Sequence, residues 1–349
     1  MRTKTNALGR SPNGSGGSVC SVRRREMGRK RDCEKRRHGE WERRRPLRVF
    51  QIGSYFLPVI SLFFVFLVCF AGNIFAQSSL DPLTQKVNSG SVEEKRDALF
   101  QIRNLRSETA SRVALPALHD ESDIVRATAA SSVIFLPKNE AATALIPLLS
   151  DKSDFVRREA AFALGETGSD TAAEPLMQAL QKDKVFEMRT AAATALGKIG
   201  DARAVEPLLK ILQRKPIESD EFLRRSAARS IGQIAQIIDT SRMRVITPQN
   251  FLTDKYKKLE GTRFDALVIQ FPVFRSAVDI LGKVLQNNGE SDDTRREAAF
   301  SLGAIGGETS LKLLTTFQNS PDPYLAEICK EAIGKIETDL ASTQTDKAH

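Results

Sequence analysis

The sequence is poor in the side chains that most often hold metal ions or act as nucleophiles. Its 349 residues include four cysteines, three histidines and one tryptophan. Only Cys329, His119 and His349 lie beyond residue 76. One cysteine cannot form an internal disulfide, and this set is too small for a thiolate or imidazole metal cluster. We therefore expect no metal site, with Cys329 as a small buried residue and His119 as a solvated one.

The motifs of common enzyme classes are also missing. There is no G-x-S-x-G, no P-loop and no G-x-G-x-x-G. No pair of carboxylates stands apart from those at helix starts, although an active site of scattered carboxylates is left open by inspection. The sequence thus predicts a protein that is not an enzyme, with no catalytic residues and no cofactor.

The basic charge of the chain is confined to its beginning. The net charge is +9, yet residues 1–48 hold 16 Lys and Arg against 5 Asp and Glu. The remaining residues hold 36 basic and 38 acidic side chains. Composition therefore gives no case for nucleic acid binding by the rest of the chain. Residues 1–48 are expected to be disordered or to precede the true translation start, and an arm that binds nucleic acid is the remaining alternative.

A long uncharged segment follows. No charged residue lies between Arg48 and Asp81, and the stretch from Tyr55 to Ala71 is almost wholly apolar. Residues 49–76 are predicted to be a signal peptide cleaved after Ala76 or a membrane anchor. The preceding basic residues should hold its amino end inside. We expect the folded domain in the periplasm or cell envelope, either released or anchored to the inner membrane outside the cytosol.

The remainder of the chain repeats one stretch, Ser153 to Gly165. With Arg157 as the anchor of that stretch, copies align at Lys95, Arg126, Arg189, Arg224, Arg295 and Ala326. Most are separated by 31 to 35 residues. A fixed period in this range is typical of a solenoid, in which helix pairs bury their apolar faces by stacking.

Each copy has the pattern of an amphipathic helix. A residue able to cap a helix precedes most anchors by four positions, and apolar residues fall at −1, +3, +4, +7 and +10. Glycine recurs at +8, where neighbouring helices should come close, and at +11, where a helix should end. An apolar segment precedes most copies, so the repeating unit is predicted to be a helical hairpin.

The pattern D-x-S-D-x-V-R-x-x-A-A-x-A-L-G, nearly complete from Asp151 to Gly165 and repeated in residues 290–303, resembles the HEAT repeat. It is most similar to the short variety named after phycobilisome lyases. The resemblance implies an all-α solenoid in residues 77–336, with about seven clear repeats and one degenerate repeat at 239–272. Residues 337–349 are expected to form a disordered tail.

The resemblance also implies a role for the anchors. In HEAT repeats this position stacks in an interior ladder and bonds a carboxylate or carbonyl of the neighbouring turn. Five anchors match that pattern: Arg126, Arg157, Arg189, Arg224 and Arg295. Lys95 and Ala326 depart from it and are expected to mark capping repeats.

A binding surface is predicted from position +5, which lies opposite the apolar stripe. It holds Phe100, Phe162 and Phe300, and the arginines near them are Arg158, Arg225, Arg229 and Arg296. Aromatic and arginine side chains are frequent anchors of interfaces. We therefore expect these residues to bind a protein or peptide on the concave face, unless each ring packs on the next helix. The leading hypothesis is an exported, non-enzymatic scaffold or adaptor. The alternative is a phycobilin-lyase-like enzyme, or an enzyme accessory protein, that handles a tetrapyrrole.

Overall fold

A computed structural model describes residues 80–244 and 262–345 of the chain. The predicted basic extension (1–48) and the predicted signal peptide or anchor (49–76) lie outside the described residues. None of the described helices is both long enough and apolar enough to cross a membrane.

Every regular element in the described ranges is helical. Residues 80–89 form α1. The helices that follow are α2 (Val92–Leu105), α3 (Glu108–Ala114), α4 (Asp123–Ser132), α5 (Lys138–Leu145), α6 (Asp154–Thr167), α7 (Ala173–Lys182), α8 (Phe186–Ile199), α9 (Val205–Leu212), α10 (Glu221–Arg244), α11 (Arg263–Gln270), α12 (Val273–Gln286), α13 (Asp292–Ile305), α14 (Glu308–Thr315) and α15 (Pro323–Thr345). Short 3₁₀ turns extend several of them, such as Leu115–His119 after α3 and Ile146–Ser150 after α5.

The helices alternate between two layers. We call α2, α4, α6, α8, α10, α13 and α15 the B helices, because each is the second helix of a hairpin. Each B helix packs on the next one in this order, and α9 packs on α12, which in turn packs on α14. The described chain is therefore an all-α solenoid of stacked hairpins, as the repeat pattern predicts.

The apolar stripe of each B helix forms the core. On α6, Val156, Ala160, Ala161 and Leu164 are fully buried. Small residues permit the close packing: a Cβ atom added at Gly165 would lie only 2.8 Å from the Cα atom of Ala195 on α8. At the end of α6, Gly168 has φ of 58°, a left-handed conformation that favours glycine. Both predicted roles of glycine are confirmed here.

The predicted degenerate repeat at 239–272 is not a layer of the stack. The amide of Gly232 on α10 donates to Ser301 Oγ on α13 at 3.1 Å, and this hydroxyl donates to the carbonyl oxygen of Ala228 at 2.7 Å. With α10 and α13 in direct contact, no hairpin fits between them. Within this segment, α11 contacts α10 and α12 from outside the stack, and residues 245–261 lie outside the described part of the chain.

The carboxyl-terminal helix is longer than expected. A disordered tail was predicted from residue 337, but α15 continues to Thr345. Two contacts explain the difference. Leu340 packs against the core, and the carboxylate of Asp339 accepts a hydrogen bond from the amide of Arg263 at 3.2 Å, which ties α15 to the first residue of α11.

An interior ladder of ion pairs joins successive hairpins. Arg126 donates to both carboxylate oxygens of Asp151, and Arg157 does the same with Asp183. Each acceptor begins the turn of the next hairpin, where it also accepts the amide of a residue two positions later, such as Ser153. The hydroxyls of Ser122 and Ser153, which the sequence predicts to cap α4 and α6, make no cap bond, and the backbone amides of these two residues are held by Asp120 and Asp151.

The ladder extends further than predicted at one end and shifts at the other. Lys95 was expected to depart from it, but its ammonium group donates to Asp120 at 2.6 Å. Arg224 forms a buried pair with Glu290. Residues 239–272, which we call the insertion, lie between the two in sequence. Arg295 donates to the carbonyl oxygen of Leu285 on α12, the first helix of its hairpin, and pairs with Asp292 of its own helix. Arg296 takes the ladder position instead by pairing with Asp322. The predicted carboxylate partner is therefore confirmed for Arg126, Arg157 and Arg224, while Arg189 and Arg295 bond a carbonyl oxygen near the end of the preceding helix.

Candidate functional site

The B helices present a common solvent-facing surface, which we call the outer face. It consists of positions −2, +1, +2 and +5 relative to each anchor. Because an α-helix turns through 100° per residue, positions −2 and +5 lie on the same side, about two turns apart. Phe155 and Phe162 on α6 are one such pair, and both are exposed.

The three predicted phenylalanines do not lie in equivalent surroundings. Phe100 on α2 is 58% exposed and Phe162 on α6 is 37% exposed. Phe300 on α13 is half-buried, because its ring packs against α10: a Cβ atom added at Gly232 would lie 3.0 Å from Phe300 Cε1. Phe300 therefore belongs to the packing between two helices, as the alternative interpretation of these rings holds, and only Phe100 and Phe162 present a largely free surface.

The amino-terminal half of the outer face contains a groove of about 470 Å³ across α2, α4 and α6. Phe100 and Phe155 form its apolar part, while Arg96, Arg103 and Glu159 supply charge at its edges. The groove is open and combines aromatic surface with both signs of charge. Such a lining is suited to a polypeptide segment better than to a small apolar molecule.

The predicted arginines are mostly engaged in contacts within the solenoid. The guanidinium of Arg158 lies 5.2 Å from the ring centroid of Phe155, an attractive cation–π geometry. Arg225 pairs with Asp293 at 2.8 Å across the α10–α13 contact, and Arg229 lies 3.6 Å from Glu297. Arg296 is tied to the interior ladder. Arg229 is the most exposed of them, and Arg158, which lies 3.6 Å from Glu159, is also held only by a loose ion pair.

Sequence reasoning missed an exposed apolar row at position −2. Its members are Ile124, Phe155, Phe222 and Tyr324, all on B helices and all exposed. Phe222 and Tyr324 are each 69% exposed. A signal for this row is present in the sequence, because each residue follows an acidic residue or a proline that begins a helix. Position −2 lies on the same side of the helix as position +5, from which the binding surface was predicted.

Glu297 is the outer-face carboxylate whose environment is most altered. Only 16% of its side chain is exposed. Burial raises the pKa of Glu297 above its ordinary value, against the attraction of Arg229 and Arg225, which lowers it. The ionised carboxylate is therefore less favourable here than in water.

Two residues singled out by their chemistry have ordinary surroundings. His119 is exposed in the turn after α3. Cys329 is buried on α15, and burial raises the pKa of its thiol to about 11, which makes it a weak nucleophile at neutral pH. Across residues 80–244 and 262–345, no three or more His, Cys, Asp or Glu side chains are placed to hold a metal ion.

Comparison with known families agrees with the repeat pattern. Residues 80–161 and 142–232 match the family of HEAT repeats. These ranges span most of the first five hairpins, including the ladder from Lys95 to Asp183. Solenoids of this kind present extended surfaces for binding other molecules.

Comparison with individual proteins identifies an enzyme as a relative. Deoxyhypusine hydroxylase-B of Oryza sativa subsp. japonica is 26% identical over 272 residues, which are 70% of this chain and 88% of that protein. The solved structure of human deoxyhypusine hydroxylase with glycerol is 20% identical, covers 76% of this chain and 99% of its own, and has a TM-score of 0.36. The CpcE–CpcF complex of phycocyanin lyase from Nostoc sp. is 21% identical, covers 73% and 93%, and has a TM-score of 0.41.

The relation to an enzyme over most of the chain overturns the functional prediction. The expectation of a non-enzymatic scaffold or adaptor is wrong. The alternative prediction was tetrapyrrole handling, and the name of this relative gives a different activity. The prediction rested on the lack of sequence motifs such as the P-loop, and that lack is not evidence against an enzyme.

Proposed function

Because this chain is a HEAT-repeat protein related in sequence to an enzyme, we propose that it takes part in the enzymatic modification of a polypeptide. The outer face of the B helices binds this polypeptide substrate. Hydroxylation, the reaction that the name of the rice relative carries, is the class of reaction we expect. The relation to that relative over 70% of the chain supports the enzymatic part of the proposal.

The single structural observation behind substrate binding is the set of exposed apolar side chains at position −2 of four B helices, α4, α6, α10 and α15. Packed helices lie about 8–10 Å apart, which is the length of about three residues of an extended chain. An extended polypeptide that crosses the B helices would therefore meet an equivalent position at about every third residue. Ile124 and Phe155 provide apolar contacts of this kind at one end of the solenoid, where Phe100 adds apolar surface from position +5, and Tyr324 provides one at the other end.

The charges of the outer face add selectivity to these contacts. The guanidinium of Arg158 stacks on Phe155 and keeps part of its surface exposed. Stacking holds an arginine in one conformation, so a bound carboxylate or carbonyl meets a donor that is already oriented. We assign substrate binding to this region and no catalytic step to a particular side chain.

Crosslinking followed by mass measurement tests the proposal. A photoreactive residue replaces Ser131, which lines the groove between Phe100 and Phe155 on α4. Lys312, an exposed residue on α14 away from the B helices, is the control position. We expect polypeptides to be captured from position 131 and not from 312. The captured polypeptide should also be heavier by one oxygen atom in cells that contain the chain than in cells that lack it.

Each part of this proposal can fail separately. Equal capture from positions 131 and 312 would show that the outer face is not the binding surface. Capture from position 131 of a polypeptide whose mass never depends on the chain would contradict an enzymatic role.

We also propose that the solenoid lies outside the cytosol, in the periplasm or cell envelope. The support is the order of a basic segment (1–48) and an uncharged apolar segment (49–76) before the repeats. The mass of the native protein is the test. A chain that begins at Gln77 indicates release, and a chain that keeps residues 49–76 indicates anchoring. Activity of a fused reporter that works only in the cytosol would contradict export.

A further inference from the structure

Arg189 is the one anchor arginine before the insertion that has no carboxylate partner among the described residues. It is half-buried, and its Nε donates to the carbonyl oxygen of Leu180 at 2.9 Å. The ring of Phe186 lies 5.4 Å from its guanidinium carbon. Its two terminal nitrogens have no acceptor within the described chain, whereas in Arg126 and Arg157 one terminal nitrogen joins Nε in holding Asp151 or Asp183.

The partner is missing because the sequence changes at one turn. In the three preceding hairpins an aspartate stands immediately after the first helix: Asp120, Asp151 and Asp183. After α9 the corresponding residues are Gln213 and Arg214. The loop that follows is longer, and its Glu218 is exposed and forms no ion pair with described residues. An amide and a second cation therefore occupy the place of the carboxylate.

The electrostatics of Arg189 differ accordingly from those of its counterparts. Burial lowers the pKa of Arg189, and the charge of Arg214 lowers it further, against the attraction of Asp220 and Asp183. Those two carboxylates are already engaged. Asp183 is paired with Arg157, and Asp220 accepts the amide of Ile217. By contrast, Asp151 raises the pKa of Arg126. A partly buried cation that no carboxylate contacts directly is costly, and a bound anion would reduce that cost.

We propose that Arg189, Arg214 and Lys215 form a binding site for an oxyanion, a carboxylate or phosphate group that takes the place of the missing aspartate. The Nε of Arg189 is taken by Leu180, but its two terminal nitrogens remain as a planar pair of donors for an oxyanion. Lys215 is exposed and unpaired within the described chain. Arg214 and Lys215 also line a groove of about 460 Å³ together with Lys283 and with Glu290, whose carboxylate is paired with Arg224.

This inference goes beyond the proposed function, although the polypeptide substrate is one possible source of the carboxylate. The test is calorimetric titration of the full chain with inorganic phosphate at constant ionic strength, and in a second arm with a short polyglutamate peptide. Arg214→Glu places a carboxylate beside Arg189 and fills the gap from within. Arg275→Glu makes the same charge change at an exposed, unpaired position near the start of α12 and is the matched control.

We expect wild type and Arg275→Glu to bind at least one probe with equal affinity, and Arg214→Glu to bind it at least about tenfold more weakly. Binding of phosphate indicates a free anion as the ligand, and binding of the peptide alone indicates a polypeptide carboxylate. Either result supports the site. Absence of binding by wild type, or equal binding by Arg214→Glu, would overturn it. The phosphate arm contains no polypeptide, so its outcome is independent of the proposed function.

A melting measurement without phosphate separates loss of binding from loss of fold. Arg214→Glu should melt no lower than wild type, since its new carboxylate compensates Arg189. Added phosphate should raise the melting temperature of wild type more than that of Arg214→Glu. Equal increases would show only the general stabilisation that excluded anions give, and would contradict the site.

Discussion

Arg126 and Asp151 join two hairpins through a two-pronged ion pair, in which Nε and Nη2 each lie 2.8 Å from a carboxylate oxygen. The third guanidinium nitrogen of Arg126 donates to the carbonyl oxygens of Asp120 and Glu121 at 2.8 and 2.9 Å. Asp151 in turn accepts the amide of Ser153, at the start of α6. One arginine thus fixes the end of its own turn and the beginning of the next hairpin.

Removing Asp151 should destabilise the solenoid strongly. Asp151→Ala leaves Arg126 without a counter-charge, and the side chain of Arg126 is only 8% exposed. Loss of one partner from a buried pair costs about 3–5 kcal/mol. Urea unfolding is the measurement. Glu206→Ala, which removes an exposed pair with Lys210, is the control and should cost less than about 1 kcal/mol. Equal effects would show that the ladder contributes no more than surface charge.

The same pair predicts how stability depends on pH. The hydrogen bonds from Arg126 hold the pKa of Asp151 below its ordinary value. The resulting stability is present above the unfolded aspartate pKa of about 4 and is lost as pH falls through the lower folded value. Wild type should therefore melt at progressively lower temperature in acid, and Asp151→Asn should show a shallower decline. Parallel profiles would contradict a contribution from this carboxylate.

Two helix glycines should respond in opposite directions to alanine. At Gly232 an added Cβ atom would lie 2.8 Å from the Cα atom of Ser301 and 2.4 Å from its hydroxyl oxygen, so Gly232→Ala must push α10 and α13 apart. At Gly334 an added Cβ meets nothing within 4 Å. Gly334→Ala should therefore stabilise α15 by about 0.5–1 kcal/mol. Thermal unfolding of the two variants is the measurement. Stabilisation of both would show that α10 and α13 are packed more loosely than the structure indicates.

The repeat pattern was sufficient to predict the buried stripe and the close approach of helices. Ala160 and Ala161 are small where α6 meets its neighbours, and glycine recurs at +8, because one packing geometry imposes the same requirement on every hairpin. The ladder followed from the resemblance to HEAT repeats. Its shift from Arg295 to Arg296 could not be foreseen, because it depends on the position of Asp322 across a turn.

Surface features were harder to predict than the core, since one helical position can face different neighbours. Phe100 and Phe300 share position +5, but only Phe300 has an adjacent glycine, Gly232, that makes room for its ring. The insertion presented a similar problem. Arg263 repeats the spacing of an anchor, yet α11 packs outside the stack because α10 and α13 already bury each other. The relationship to an enzyme is carried by none of the motifs considered above and became evident only from comparison over 70% of the chain.

Neutralising Glu297 should stabilise the protein at neutral pH. Its pKa is raised by burial, so the folded state disfavours the ionised form. For an acid with a raised folded pKa, this penalty is present at high pH and disappears as pH falls below the unfolded value of about 4.3. Glu297→Gln should therefore raise the melting temperature at neutral pH, with a difference from wild type that shrinks toward pH 4.

The matched control for Glu297 is Glu159→Gln at the equivalent position of α6, where the side chain is more exposed. We expect this substitution to change the melting temperature little at either pH. A lower melting temperature for Glu297→Gln at neutral pH would show that attraction to Arg229 and Arg225 outweighs the cost of burial.

Replacement of Phe100 and Phe155 by serine should weaken substrate capture without unfolding the solenoid. Both rings are exposed and line one groove of the outer face, so their loss removes contact area for a partner and little from the core. Aromatic anchors commonly contribute 2 kcal/mol or more, and we expect capture through position 131 to fall by roughly tenfold or more. The melting temperature should stay that of wild type.

Phe300→Ser is the contrasting variant. It occupies the same repeat position as Phe100 but packs on α10, so it should lower stability by about 1–3 kcal/mol and leave capture by the folded protein unchanged. A variant that changed Phe100, Phe162 and Phe300 together would mix the two effects. If Phe100→Ser/Phe155→Ser melts far below wild type, the two rings stabilise the fold. If it stays folded and captures the same polypeptides equally well, the outer face in this region does not bind the substrate.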